Sequence, residues 1–476
     1  MPTNTMIKKS NKKPISIQNI PILLIVVLGF FLRIYQIGKD SFWLDEVGVA
    51  SVIFAESIDN FINIVRSHVA AVPLDYVITW ALGQISLNEG WLRFPSAIWG
   101  TFTLVICYML FKQFANRNVA LVGVLLLALS PLHIKYSQEL RFYSSLIFFY
   151  VLSTKLIFDA IQFNKLKNWI IFTIVTCIGT FFHIFVGFSV VNGFFWFFSK
   201  DFKVTNKKFR HFLFSLIVIF IGEVTAYYLF VGYTSKLNEP LTRFESVFQA
   251  FGTGLGWLPI TSNNTVVEYL WGACCLVFTI FGVIILTKNN KFNYIKKLLL
   301  SVFLQIIIIF IFVIIRGYFI RARHFVFLLP FIFLFVAIGI MGFLKKNRFG
   351  KISSYIIVLV ICLLSLPQLL FFYDENKGFA REIAAFVNKD WETGDLVIFT
   401  EQFSISEPVK YYLVDVMGNK QVLPYLWTAN LDTDLQTVLN WGDETIYIIG
   451  DTSFDQKKLL YENGFFVTEI ENVWQR

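Results

Sequence analysis

The chain has 476 residues, 56% of them apolar and only 15% charged, against about 45–50% and about 25% in ordinary soluble domains; a single water-soluble core is excluded. The formal net charge is +9, but the basic residues fall in short clusters between apolar runs, without a recognition motif or a continuous basic face, which argues against nucleic-acid binding. All five cysteines (Cys107, Cys177, Cys274, Cys275 and Cys362) lie inside apolar segments, so neither a disulfide framework nor a spaced metal cluster is expected.

Lys8, Lys9, Lys12 and Lys13 precede an apolar run in the manner of a secretory leader. The run from Ile20 to Ile37 is too long for one and no small-residue cleavage site follows, so it reads as the first retained span. Further apolar windows lie near 94–114, 118–132, 139–161, 168–184, 185–200, 210–233, 265–287, 296–315, 322–343 and 351–373, giving about eleven spans, with a range of 11–13. With the N-terminus inside, the cytoplasmic connections carry Lys112 and Arg117, Lys165 and Lys167, the run Lys200–Arg210, Lys288–Lys297 and Lys345–Lys351. All are basic, as cytoplasmic loops should be. The opposite connections gather acids, among them Asp40, Asp45, Glu46, Glu56, Asp59, Asp75, Glu89 and Glu139.

The first outer loop covers about 38–93, and its semi-apolar stretch Pro73–Leu87 is expected to lie on the surface, because counting it as a span would reverse the charge bias of every later loop. From about 374 the hydropathy falls. Gly378–Lys389 is amphipathic, while Asp395–Thr400 and Glu444–Gly450 read as strands. The expected fold class is mainly α: a polytopic transmembrane helical bundle (1–373) with a small extracytoplasmic α/β domain (374–476). The chain is expected in the plasma membrane, multi-pass, with its C-terminal domain outside.

Three polar motifs fall on the outer face. Phe42-Trp43-Leu44-Asp45-Glu46 follows the first span directly; its carboxylates can deprotonate a hydroxyl, hold a cation, or simply complement a helix N-terminus. Ser130 to Tyr143 forms a dense polar patch in which Glu139 and Arg141 can bind substrate or cap the interface. Arg316, Arg321 and Arg323 with His324 stand where the charge rule disfavours arginine, and the planar guanidinium suits phosphate oxygens, of a substrate or of ordinary lipid. Glu223, inside Phe214–Phe230, is an intramembrane carboxylate with no visible partner, and His68 and His183 are lone histidines.

The order and spacing of Trp43-x-Asp45-Glu46, Pro73-Leu74-Asp75-Tyr76, Leu92-Arg93-Phe94-Pro95-Ser96 and Tyr136 to Tyr143 resemble the protein O-mannosyltransferase and aminoarabinose transferase superfamily, membrane glycosyltransferases with the C-type fold. Arg323-His324 before Leu328-Leu329-Pro330, and Phe379-Ala380-Arg381-Glu382 leading to Gly394-Asp395, also look like later stretches of that family. The resemblance implies inverting transfer of one sugar from a polyprenyl-phosphate carrier to a hydroxyl acceptor. It implies Asp45 as base with Glu46 and Glu139 lining the site and Arg323 and Arg321 toward the carrier phosphate; Arg141, Tyr143 and His324, from the same polar motifs, are further candidates for binding substrate. Many relatives carry a basic residue and a second proline where Ala71 and Val72 stand here; the phosphate contact expected there shifts to Arg66 or His68. The resemblance requires no cofactor, and a divalent cation is not predicted. The competing reading is a transporter or lipid flippase, against which no internal repeat is visible and the polar motifs cluster at one interface.

Overall fold

Chain segments too apolar for water and too long for a soluble core set this architecture, which is mainly helical. The computed structural model describes residues 19–68, 72–198, 204–230, 244–258, 266–288, 293–316, 321–343, 348–375, 378–392, 396–400, 403–418, 426–428 and 446–449. The N-terminal lysines, Ala71, residues 231–243 and Gly394-Asp395 lie outside these.

In chain order, α1 (Ile20–Ile34) leads into the outer loop, which holds α2 (Leu44–Ala50), α3 (Ile58–Ser67) and α4 (Pro73–Gly83). The bundle continues with α5 (Glu89–Phe114), α6 (Arg117–Ala128), α7 (Pro131–Ser137), α8 (Tyr143–Phe163), α9 (Leu166–Thr180), α10 (Ser189–Phe197), α11 (Asn206–Leu229), α12 (Phe244–Gly254), α13 (Val266–Lys288), α14 (Asn293–Arg316), α15 (Leu329–Phe343) and α16 (Arg348–Asp374). Starts are written in the sequence: the side chains of Ser57, Asn88, Asn116, Ser130 and Thr205 accept from backbone N–H groups of the first turn.

Among the described residues, six helices are long and apolar enough to cross a membrane, or seven if α6 and α7 count as one broken span. Each of the eleven predicted windows contains an apolar helix, but Ile20–Ile34, Leu166–Thr180, Ile184–Phe197 and Val326–Gly342 are shorter than a full crossing. The 63° bend between α6 and α7 sits at Ser130-Pro131. Proline disfavours helical backbone in the residue before it, and Ser130 accordingly has ψ 116° while its hydroxyl caps the new helix.

The core gathers α5, α6, α8, α13 and α15, and α15 is apolar all round because it is buried all round. It crosses α13 at two glycines. A Cβ at Gly282 would lie 2.1 Å from the Phe335 carbonyl oxygen and one at Gly339 2.1 Å from that of Phe278, the close backbone approach that small residues permit in membrane helices. One buried polar network ties three helices: Asn192 joins Tyr150, Thr154, Ser301 and Gln305 between α8, α10 and α14. Arg33 of α1 is wholly buried, donating to the Gly29 carbonyl at 2.7 Å and meeting His133 Nδ1 of α7 at 2.7 Å.

After α16 the chain turns back onto the outer loop through α17 (Ala380–Asp390) and α18 (Phe403–Lys410), which runs on as a π turn, Tyr411–Val416. β1 (Leu396–Thr400), β2 (Leu426–Thr428) and β3 (Ile446–Ile449) make a parallel three-stranded sheet in the order β2-β1-β3. Ile398 pairs with Leu426 on one side and Ile448 on the other.

Candidate active site

α2 is capped by Trp43 and carries Asp45 and Glu46 in its first turn, where carboxylates complement exposed N–H groups. Glu46 is 1% exposed and sealed by Arg93 of α5, whose Nε and Nη2 reach its two oxygens at 2.8 and 2.7 Å. The remaining Arg93 donors go to the carbonyls of Ile37, Asp40 and Ser41, so all five guanidinium N–H groups are used. The Leu140 N–H donates to Glu46 at 2.7 Å. One buried bidentate pair thus ties residues 37–46 to α5 and to the polar patch after α7.

Asp45 faces other partners. Its Oδ2 lies 2.8 Å from Arg323 Nη1 and 3.9 Å from Arg141 Nη2, and its backbone carbonyl accepts from Arg141 Nη1 at 3.1 Å. The side chains of Asp45 and Arg323 are each 25% exposed, whereas that of Arg141 is 8% exposed. Arg141 lies over the rings of Phe142 and Tyr143, 4.8 and 5.7 Å from their centroids, and Tyr143 packs 4.6 Å from Tyr136. Arginine suits this place because its delocalised charge stacks on aromatic faces while its edge still donates.

The predicted residues divide accordingly. Asp45, Arg141, Tyr143 and Arg323 converge from the outer loop, the α7–α8 connection and the turn before α15. Tyr136 adjoins them, with Asp45, Tyr143 and Arg323 as electrostatic neighbours, and half-buried Glu139 is in turn a charged neighbour of Tyr136. Glu46 departs from the expected reacting pair: its oxygens are occupied, so the two adjacent carboxylates do not face one ligand together. Arg321 is exposed, and its N–H donates to His324 Nδ1 at 3.2 Å. Arg66 donates to the Leu229 carbonyl at the end of α11, 2.8 Å away.

His68 places Nδ1 2.8 Å from the Ile64 carbonyl and rests its ring on Gly48, where a Cβ would lie 2.3 Å from Nε2. Burial pushes its pKa down, favouring the neutral ring. Asp75 and Tyr76 of α4 belong to the same neighbourhood, with Arg141 as their charged neighbour. Both are buried, and Asp75 Oδ2 and Tyr76 Oη have no hydrogen-bond partner among the described residues. Burial raises the Asp75 carboxyl to about 6, against the opposing pull of Arg141. Among the described residues no three His, Cys, Asp or Glu side chains gather as a metal set.

Residues 70–228 match the family model described as dolichyl-phosphate-mannose-protein mannosyltransferase. A curated relative, the putative mannosyltransferase YkcB of Bacillus subtilis (strain 168), is 26% identical over 177 residues, 36% of this chain and 24% of its own length. The match therefore spans about a quarter of that relative. Among solved structures, ArnT from Cupriavidus metallidurans superimposes with a TM-score of 0.55 at 10% identity, covering 93% of this chain and 91% of that one. Its complex with undecaprenyl phosphate gives 0.54. The archaeal oligosaccharyltransferase AglB from Archaeoglobus fulgidus, in complex with an inhibitory peptide and a dolichol-phosphate, gives 0.51 at 11% identity over 83% of this chain and 63% of that one. The matched segment runs from the outer loop through α11, and the bundle shares its fold with the ArnT and AglB structures.

Proposed function

We propose that this protein transfers one sugar from a polyprenyl-phosphate-linked donor to an acceptor hydroxyl at the outer membrane face, with inversion. The observation that carries this is Asp45 set between Arg323 and Arg141: a partly open carboxylate beside two cations, one reachable by an incoming phosphate. Asp45 takes the acceptor's proton as the acceptor oxygen bonds to the anomeric carbon. The bond from that carbon to the phosphate oxygen breaks, and the polyprenyl phosphate leaves with its added negative charge met by arginine.

Arg323 serves twice in this reading. Without donor it pairs with Asp45; a donor phosphate draws it away and leaves the carboxylate open to the acceptor hydroxyl. Arg141, stacked on two aromatic rings, keeps its position throughout. Glu46 sets the geometry of the loop through Arg93, and Arg321, His324, His68 and Arg66 flank the carrier side. The same reading carries eleven spans, a cytoplasmic N-terminus, a transferase module over 1–373 and an extracytoplasmic 374–476, with no metal required. Support comes from the family match over 70–228 and from the ArnT and AglB structures with polyprenyl phosphates.

The test is purified protein in nanodiscs given a panel of radiolabelled polyprenyl-phosphate sugars, comparing wild type with Asp45→Asn. Release of free polyprenyl phosphate by wild type alone is expected; equal release by Asp45→Asn sinks the base assignment.

A further inference from the structure

The transferase reading leaves unused a second polar network, built where the chain returns from α16. Tyr412, on the π turn, accepts from the Phe42 N–H at 2.8 Å and donates to Glu89 Oε1 at 2.8 Å. Arg381 of α17 reaches the same Glu89 oxygen at 2.7 Å and the Lys39 carbonyl at 3.1 Å. The Ala380 N–H donates to Ser41 Oγ at 3.0 Å, and Lys39 Nζ donates to the Tyr373 carbonyl at 2.9 Å. Residues 39, 41 and 42 are thus each held by the tail, three to six positions before Asp45. Arg93 and Glu46 hold the same stretch from the bundle side.

Apolar packing reinforces the polar ties. Phe42 lies 6.1 and 6.4 Å from the rings of Tyr411 and Tyr412, and Val47, Val49 and Ala50 of α2 share one buried cluster with Ala380, Ala384, Val387, Val409 and Leu413. A π turn is rare and recurs at functional sites; here it sets Tyr411 edge-on and Tyr412 stacked against Phe42, the residue that leads into the Asp45 turn. Glu89 is buried, so its charge needs both of these partners.

We infer that the tail from α17 through the π turn is a brace for the first outer loop, in which Tyr412 and Arg381 are positioning residues for the base at Asp45. This rests on the transferase reading for its catalytic consequence, but not for the brace itself. An outer loop of short helices would otherwise sample orientations, and a misplacement of about 1 Å at a reacting group costs about a hundredfold in rate.

The test uses the full chain in nanodiscs with Tyr412→Phe and Arg381→Ala, read in two ways. Hydrogen exchange across 37–47 should speed up in both variants, the Phe42 amide most in Tyr412→Phe, while exchange in α8 and α15 stays at the wild-type rate. In turnover, kcat should fall about tenfold or more with donor KM within about twofold of wild type, as expected for a misplaced base and an intact donor site. Unchanged exchange across 37–47 overturns the brace whatever the activity. Faster exchange with wild-type kcat overturns the positioning role. Absence of turnover in wild type itself counts against the transferase reading, and the exchange result still decides the brace.

Discussion

Glu46→Gln should separate the architecture of the outer loop from its chemistry. The change keeps size and shape but removes the charge that balances Arg93, whose side chain is 6% exposed. With the amide oxygen at the Oε1 position, it also turns an NH2 toward Arg93 Nη2, which previously met carboxylate oxygen at 2.7 Å. Removing one partner of a buried ion pair costs about 3–5 kcal/mol, because the charge left behind stays desolvated. The Leu140 N–H still finds an acceptor in the amide carbonyl, so the lower half of that range, about 3 kcal/mol, is expected. The assay is heat-induced unmasking of buried thiols in detergent, for which Cys107 and Cys275 are natural reporters. Glu46→Gln should melt well below wild type, whereas Asp45→Asn, a quarter exposed, should melt close to it. Equal melting of the two variants would refute the division of labour between these adjacent carboxylates.

Arg323→Ala should raise donor KM more than acceptor KM, since the guanidinium freed from Asp45 is the one assigned to phosphate; equal effects on both substrates would count against that role. Asp75 gives a pH signature. Its folded carboxyl titrates near 6 rather than at the model-peptide 3.8, so the folded state holds the proton more tightly. The associated stability is fully present below about pH 4 and lost as pH rises through 6, about 3 kcal/mol by pH 7. Asp75→Asn should flatten the melting temperature between pH 4 and 7 and raise it at pH 7; a wild-type slope retained in the variant would contradict the assignment.

Much of the bundle was legible in the sequence because lipid imposes a length and a composition that can be read locally. The windows from 94 onward coincide with helices, and Ser130-Pro131 announces the α6–α7 break. Arg323 stood out because the charge rule disfavours arginine on the outer face, Arg141 because it lies in a dense polar patch between spans, and Asp45 because its acidic motif directly follows the first span. Arg93 was visible only as part of a motif, since its role depends on carbonyls 52 to 56 residues away. Asp75 and Tyr76 looked like an interfacial helix start, and nothing local marks a side chain as buried without a partner. The tail's grip on Phe42 was invisible for the same reason: Tyr412 and Phe42 are 370 residues apart.

Arg33 carries a consequence for biosynthesis. Its charge sits in the last turn of a 15-residue apolar helix, from which a long side chain reaches the headgroup level. Its companion His133 is made 100 residues later, about 5–20 s at ordinary elongation rates. During that interval the guanidinium is served by water and headgroups, and its burial against His133 follows only once α7 is made.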